Sequence, residues 1–295
     1  MQQPESEKYS NDPRDLLAVA LEVVREAAQH VRTRRLEVFG VVGASVTAEE
    51  SVEAKSTPTD PVTVVDTETE QLIRDRLTRL RPGDSILGEE GGGHSGPVAG
   101  VRWVVDPIDG TVNFLYGIPA HAVSIAAQID GVSVAGVVAD VAVDAIYSAA
   151  TGGGAHLRDT NGEVHRLACN PVTSASMALL ATGFGYGRER RRIQGRLIAE
   201  ILPQVRDVRR IGSAALDLCM VAAGRVDAHF EHGLNPWDWA AGSLIATEAG
   251  ARVRIPSADS TGSAGEVVVA AAPGIADEIE TILRAAGALD PIPAD

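Results

Sequence analysis

Two aspartates three residues apart, Asp106 and Asp109, close the apolar run WVVDPIDGTVNF (103–114), with Pro107 between them and Gly110-Thr111 directly behind. One Asx residue and a glycine suffice to turn a chain, so the second carboxylate asks for a chemical reason. Other acids share the pattern. Glu89 and Glu90 end the apolar stretch SILG, Asp238 follows Asn235-Pro236-Trp237, and Asp66 sits one step from the apolar stripe of a helical segment. Each is flanked by apolar residues or glycine. Taken singly, each reads as a turn or a solvated pair. Brought together they repel: two charges about 5 Å apart cost about 3 kcal/mol at an effective dielectric near 20. Several such pairs approach the whole stability of a domain, so a positive centre is required. No Lys or Arg lies between Arg81 and Arg102, and no His or Cys falls within the acidic motifs. Zinc therefore fits poorly and a hard cation with oxygen ligands fits well. Few ligands and a role for substrate oxygens favour Mg²⁺ over Ca²⁺. Two Mg²⁺ ions sharing carboxylates activate water and clamp phosphate oxygens in an in-line displacement. Gly110 would let the backbone approach an anion, and Thr111 adds a hydroxyl to orient water.

Positioning these acids requires strands and helices that end where they do. Asp12 and Pro13 read as N-cap and first position of a helix carrying Leu16, Leu17, Ala20, Val23, Val24, Ala27 and Val31 at helical spacing. The segment EVFGVVGASVTAEESVEAKSTPTDP reads as a mobile loop, and a second helix is expected over 62–80. SILGEEGGG and VRWVVDPIDG read as buried strands whose far ends carry the acids. Strands follow at AVSIAAQID, SVAGVVADV, AIYSAATGG and AHLRD, separated by Gly and Asp turns. Later come helices near 193–202 and over SAALDLCMVAAG, a strand at VDAHFE, a helix over WDWAAGSLIATEAG, a strand at EVVVAAA and a last helix over 274–286. Central strands with helices before and after predict a layered α/β fold.

Composition narrows the function. A formal charge of −14, with the short basic clusters at 188–192 and 206–210 too small to overturn it, argues against a nucleic-acid footprint. Two cysteines, Cys169 and Cys219, exclude a disulfide framework and a Cys-rich metal site by count. The polar N-terminus lacks an apolar signal region and no apolar run spans a bilayer, so the expectation is a cytoplasmic protein away from membranes.

The segments DPVTVVDTETE (60–70), LGEEGG (87–92), WVVDPIDGTVNF (103–114), RRIGSAALDLC (209–219) and PWDWAAGSLIATEAGA (236–251) together resemble the inositol monophosphatase family, closest to its bacterial SuhB-type branch. They cover roughly residues 14–285 in family order. The resemblance implies a layered α-β-α-β-α sandwich, with a tail at 1–11, one catalytic domain at 12–288 and a C-terminal tail at 289–295. It implies a lithium-sensitive, Mg²⁺-dependent hydrolysis of myo-inositol monophosphate, a small phosphorylated polyol, by a homodimer. Glu89, Asp106 and the Ile108 carbonyl would hold one Mg²⁺, and Asp106, Asp109 and Asp238 a second, with a weaker third near Glu89. Thr111, braced by Asp66, would orient the attacking water, and Glu89 would accept its proton. The N–H groups of Gly110 and Thr111 would hold the phosphate. Asp109, Ala214 and Glu231 would contact ring hydroxyls, Asp238 borders the same substrate, and Arg209 takes the place of a substrate-side arginine. TGFGYG (182–187) departs from the substrate loop of other members and bears on ring selectivity alone. Fructose-1,6-bisphosphatase, histidinol-phosphatase and phosphoadenosine phosphatase activities, or partnership with the transcription machinery as for some SuhB-type proteins, are the alternatives. A haloacid-dehalogenase reading fails, because its paired aspartates stand two apart.

Overall fold

The computed structural model describes residues 9–40, 52–54, 61–93, 99–257 and 260–294. Helix α1 (Pro13–Phe39) starts where expected: the Asp12 carboxylate accepts from the Arg14 N–H and proline takes the first turn. Its buried face of Leu16, Ala20, Val23, Val24, Ala27 and Val31 follows the 3.6-residue period. A short hairpin pairs β1 (Val52–Ala54) antiparallel to β2 (Pro61–Thr63). Thr63 then caps α2 (Val64–Leu80) in a capping box with Asp66.

Seven strands form the first sheet, in sequence order: β3 (Ser85–Gly88), β4 (Val101–Asp109), β5 (Ala122–Ile129), β6 (Val132–Asp140), β7 (Ala145–Ala150), β8 (Gly154–Arg158) and β9 (Val164–Arg166). Only β3 and β4 run parallel, with α3 (Thr111–Tyr116) inserted between β4 and β5. The second sheet uses β10 (Leu179–Thr182), β11 (Asp207–Arg209), β12 (Ala228–His232), β13 (Arg252–Arg254) and β14 (Val267–Ala271), in the order β11-β10-β12-β14-β13. Its helices are α4 (Arg188–Ile201), α5 (Ala214–Ala222), α6 (Pro236–Glu248) and α7 (Ala276–Ala286).

Three apolar clusters define the layers. One joins α1 and α2 to the outer face of the first sheet through Val24, Ile73, Trp103 and Ile125. The second lies between the sheets, where α5 and α6 bury Leu218, Cys219, Trp239 and Ile245. The third seats α4 and α7 outside the second sheet with Leu180, Ile201, Phe230 and Ile279. The order is α-β-α-β-α, as the resemblance implied. Helix α6 is almost wholly buried, because both its faces meet a sheet.

Several expectations change in detail. Residues 37–39, read as the start of a loop, complete α1; 41–51 and 55–60, the rest of that expected mobile loop apart from the hairpin, lie outside the described residues. The second helix begins at Val64 because Thr63 is spent on capping it. Residues 9–11, placed in a tail, dock on Arg81, which donates to the Ser10 carbonyl and to Asn11. Residues 289–294, placed in a C-terminal tail, pack Leu289 and Ile292 into the third cluster. Short strands β9, β10, β11 and β13 and helix α3 were not anticipated, since three to six residues carry too little periodicity to read.

Candidate active site

The spacing of Asp106 and Asp109 is resolved by an irregularity in β4. Asp106 pairs with Ser124 and Asp109 with Ala122, so three steps on β4 span two on β5, a bulge centred on Pro107-Ile108. In a regular strand residues three apart point to opposite faces. The extra residue restores a common face, and Pro107 costs no ladder bond there because it has no N–H to give. Both carboxylates line one cavity of about 500 Å³ together with Glu89, Thr111, Glu231 and Asp238. Ligand oxygens of Asp106, Asp109 and Asp238 lie within 4.8 Å of one another.

Backbone and hydroxyl donors fix the acids. Asp106 accepts from the Ile108 N–H at 3.0 Å. Asp109 Oδ2 accepts from Ser213 Oγ and from the Ala215 N–H, each at 2.6 Å, and so ties β4 to the start of α5. Asp238 Oδ2 accepts from the Asn235 N–H at 2.6 Å while standing in the first turn of α6. Burial still dominates: it pushes the Asp109 carboxyl up to about 6, against the pull of Ser213 and Ala215. It also raises Asp238 well above the ordinary range, with Asp109 and Glu89 adding repulsion. Charges so placed want a cation between them.

Thr111 follows directly. Its Oγ1 lies 3.1 Å from Asp66 Oδ1 and 3.0 Å from the Ile108 carbonyl, while Asp66 Oδ2 accepts from the Thr63 N–H. One carboxylate thus caps α2 with one oxygen and braces Thr111 with the other. Gly110 adopts φ 97°, and a Cβ there would lie 2.9 Å from the Ala120 carbonyl oxygen, so only glycine fits this approach.

Glu231 stands on β12 at the cavity wall, and a Cβ on Gly183 would fall 2.1 Å from its carboxylate. Burial pushes its carboxyl up to about 8, against the Arg210 guanidinium. Behind it, Asp217 and His229 are fully buried, 3.7 Å apart, with no hydrogen-bond partner on either side chain among the described residues. Ala214, the first residue of α5, also borders the cavity.

Arg209 does not. It lies exposed and pairs with Asp207, two residues back on β11 and therefore on the same strand face, while Arg210 leaves the strand end and lines the cavity. Glu90 does not line the cavity either; its backbone N–H donates to Glu70 at 2.7 Å. Two further residues gave no sequence signal. Glu70, on α2, accepts from the N–H groups of both Glu90 and Gly91 and from Arg74, and so shapes the loop that carries Glu89. Asn113 donates to the Ala120 and Ile211 carbonyls at 2.8 and 2.9 Å, tying the Asp109 loop to that of Arg210. Glu70 reads as an ordinary helix residue and Asn113 as part of the turn behind Asp109, with nothing local to mark either as a long-range tie.

Residues 12–287 match the model of the inositol monophosphatase family. An inositol-1-monophosphatase of Mycobacterium bovis is 61% identical over 287 residues, covering 96% of this chain and 98% of that one. A protein of Vibrio cholerae named Nus factor SuhB is 37% identical over 239 residues, 81% of this chain and 84% of that one. The solved structure of Mycobacterium tuberculosis SuhB superimposes with a TM-score of 0.79 at 56% identity, covering 95% of this chain and all of that one.

Proposed function

The chain belongs to the inositol monophosphatase family and is a phosphatase, and from that premise we propose that it hydrolyses myo-inositol monophosphate to myo-inositol and phosphate with Mg²⁺ held by Glu89, Asp106, Asp109, Asp238 and the Ile108 carbonyl. The observation that carries this reading is the convergence of the buried Asp106 and Asp109 with the half-buried Asp238, within 4.8 Å, on a cavity that Glu89 and Thr111 share. The donor set is oxygen only, and desolvation raises two of the three acids, so a hard divalent cation fits. Bound there, Mg²⁺ supplies an acidified water and neutralises phosphate charge.

The chain's own residues do the rest. The Thr111 hydroxyl has one proton for two acceptors, Asp66 and the Ile108 carbonyl, so its lone pairs are left to receive and aim a water. Glu89, on the same cavity wall, takes the proton that this water gives up. The backbone of Gly110 and Thr111 borders the phosphate position, and Asp109, Ala214 and Glu231 face the alcohol. Carboxylates accept from adjacent hydroxyls, which suits a polyol. Arg210 replaces Arg209 as the cation on the alcohol side. A homodimer and a cytoplasmic location belong to the same proposal; among the described residues no helix is long and apolar enough to cross a membrane.

The test is phosphate release from inositol, fructose, histidinol and nucleotide phosphates, with Mg²⁺ and with chelator. Turnover of inositol 1-phosphate should vanish in chelator and return with Mg²⁺. Full activity in chelator, or preference for another ester, refutes the respective half. The likeness to Nus factor SuhB favours a second reading, a transcription-machinery partner; retention on immobilised RNA polymerase would establish it alongside catalysis.

A further inference from the structure

Part of the cavity wall is remote in sequence from the carboxylates. Ala294 lines it together with Tyr186, Arg190, Gly262 and Ser263. The segment carrying Ala294 is firmly seated. Ile292 is 5% exposed and its N–H donates to the Gly265 carbonyl at 2.9 Å. The Ala294 N–H donates to the Ser263 carbonyl at the same distance. Gly265 adopts φ 74°, and a Cβ there would lie 1.8 Å from the Ile292 carbonyl oxygen, so the two backbones can meet only at a glycine. The backbone of Ala288 and Asp290 faces His232, the neighbour of Glu231 on β12.

Arg190 fastens this arrangement. It stands in the first turn of α4, where a cation opposes the helix dipole, and it is only 7% exposed. Both costs require acceptors. Its guanidinium donates to the Gly262 carbonyl at 2.8 Å, the Ser263 carbonyl at 3.3 Å and the Pro293 carbonyl at 3.4 Å. Its stem backs on the TGFGYG loop, where a Cβ on Gly185 would lie 2.8 Å from Arg190 Cδ. One side chain thereby holds together α4, the 183–187 loop, the 262–265 turn and residue 293.

We propose that residues 291–294, held by Arg190, form the wall that sets how large an alcohol the phosphatase accepts. This rests on the phosphatase reading above: with phosphate at Gly110 and Thr111, an alcohol that meets Glu231 lies against Gly183 and extends along the 183–187 loop toward Arg190 and Ala294. There the segment presents the Ala294 methyl group and backbone, and the Arg190 guanidinium is spent on three carbonyls, so the wall selects by size. The ligand class is the phosphate monoester of a compact polyol, and bulky aryl or nucleoside esters meet the wall. Arg190 is a positioning residue and acts through the segment.

The experiment compares inositol 1-phosphate, glycerol 2-phosphate and 1-naphthyl phosphate as substrates for the unmodified chain, a chain lacking residues 290–295, and Arg190→Met. The deletion should lower the kcat/KM ratio of inositol 1-phosphate to 1-naphthyl phosphate by about tenfold, with the change carried by KM. Arg190→Met should move the same ratio in the same direction, and the deletion decides alone if that variant does not fold. A fall by one common factor for all three esters, carried by kcat, would mean a structural role and overturn the proposal, as would unchanged ratios. An unmodified chain that releases phosphate from none of the three overturns the phosphatase reading itself, before any variant is made.

Discussion

Removing divalent cations should make this protein less stable as pH rises, and the size of the effect follows from the buried acids. Asp109 ordinarily titrates at 3.8 and is pushed up to about 6; Glu231 ordinarily titrates at 4.5 and is pushed up to about 8. In both, the folded state holds a proton that the unfolded chain has released. Stability is therefore full below the unfolded value and is lost as pH climbs through the folded one. Between pH 5 and 8, Asp109 contributes a loss of roughly 1 kcal/mol, because its folded-state proton is held for about one further unit. Glu231 would lose about 4 kcal/mol over three units, but it opens on the cavity and solvent screening reduces this to roughly half. The sum is about 3 kcal/mol, or about 5 °C in Tm for a domain of this size.

Mg²⁺ reverses the sign of the local field, because it binds the ionised carboxylates and competes with protons. Calorimetric scans in EDTA and in excess Mg²⁺, from pH 5 to 8 at constant ionic strength, isolate this contribution. Titrations elsewhere in the chain are common to both arms and cancel. The gap in Tm between the arms should widen toward pH 8 by at least the share of the ligand Asp109, about 2 °C, whereas the share of Glu231 is common to both arms. A gap that stays constant or narrows with pH would show that no cation sits among these carboxylates.

Asp106→Asn should abolish turnover by weakening both ion positions, whereas Glu231→Gln should alter which alcohol is accepted; steady-state kinetics with Mg²⁺ titration distinguishes them, and equal loss of Mg²⁺ affinity in both would refute the division. Glu70→Gln removes the charge that gathers the Glu90 and Gly91 N–H groups, so Mg²⁺ affinity should drop about tenfold while Tm changes little, as read by calorimetric titration. Lithium should inhibit uncompetitively, because Asp106, Asp109 and Asp238 can take a small monovalent cation once phosphate is in place; initial rates in LiCl against KCl would refute this if the two salts act alike.

The acids announced themselves in the sequence because their neighbours are apolar: Asp106 and Asp109 close a strand that is buried along its whole length, and Asp238 opens a helix buried between two sheets. Periodicity also gave α1, α2, α5 and α6 and the long strands of the first sheet, since a sustained apolar pattern is a local property. What brings the three aspartates together is not local. Three-residue spacing on a strand predicts opposite faces, and only the register of β4 against β5 reveals the bulge that aligns Asp106 with Asp109. The preference for Arg210 over Arg209 likewise depends on where β11 stops pairing with β10. Glu70 and Asn113 act through backbone groups 20 and 98 residues away, and residues 291–294 reach the cavity through the turn at 262–265. Composition and pattern determined which chemistry the chain could perform and which elements would carry it. Tertiary structure alone decided which residues share a cavity, because hydrogen-bond register and long-range backbone contacts leave no trace in residue type.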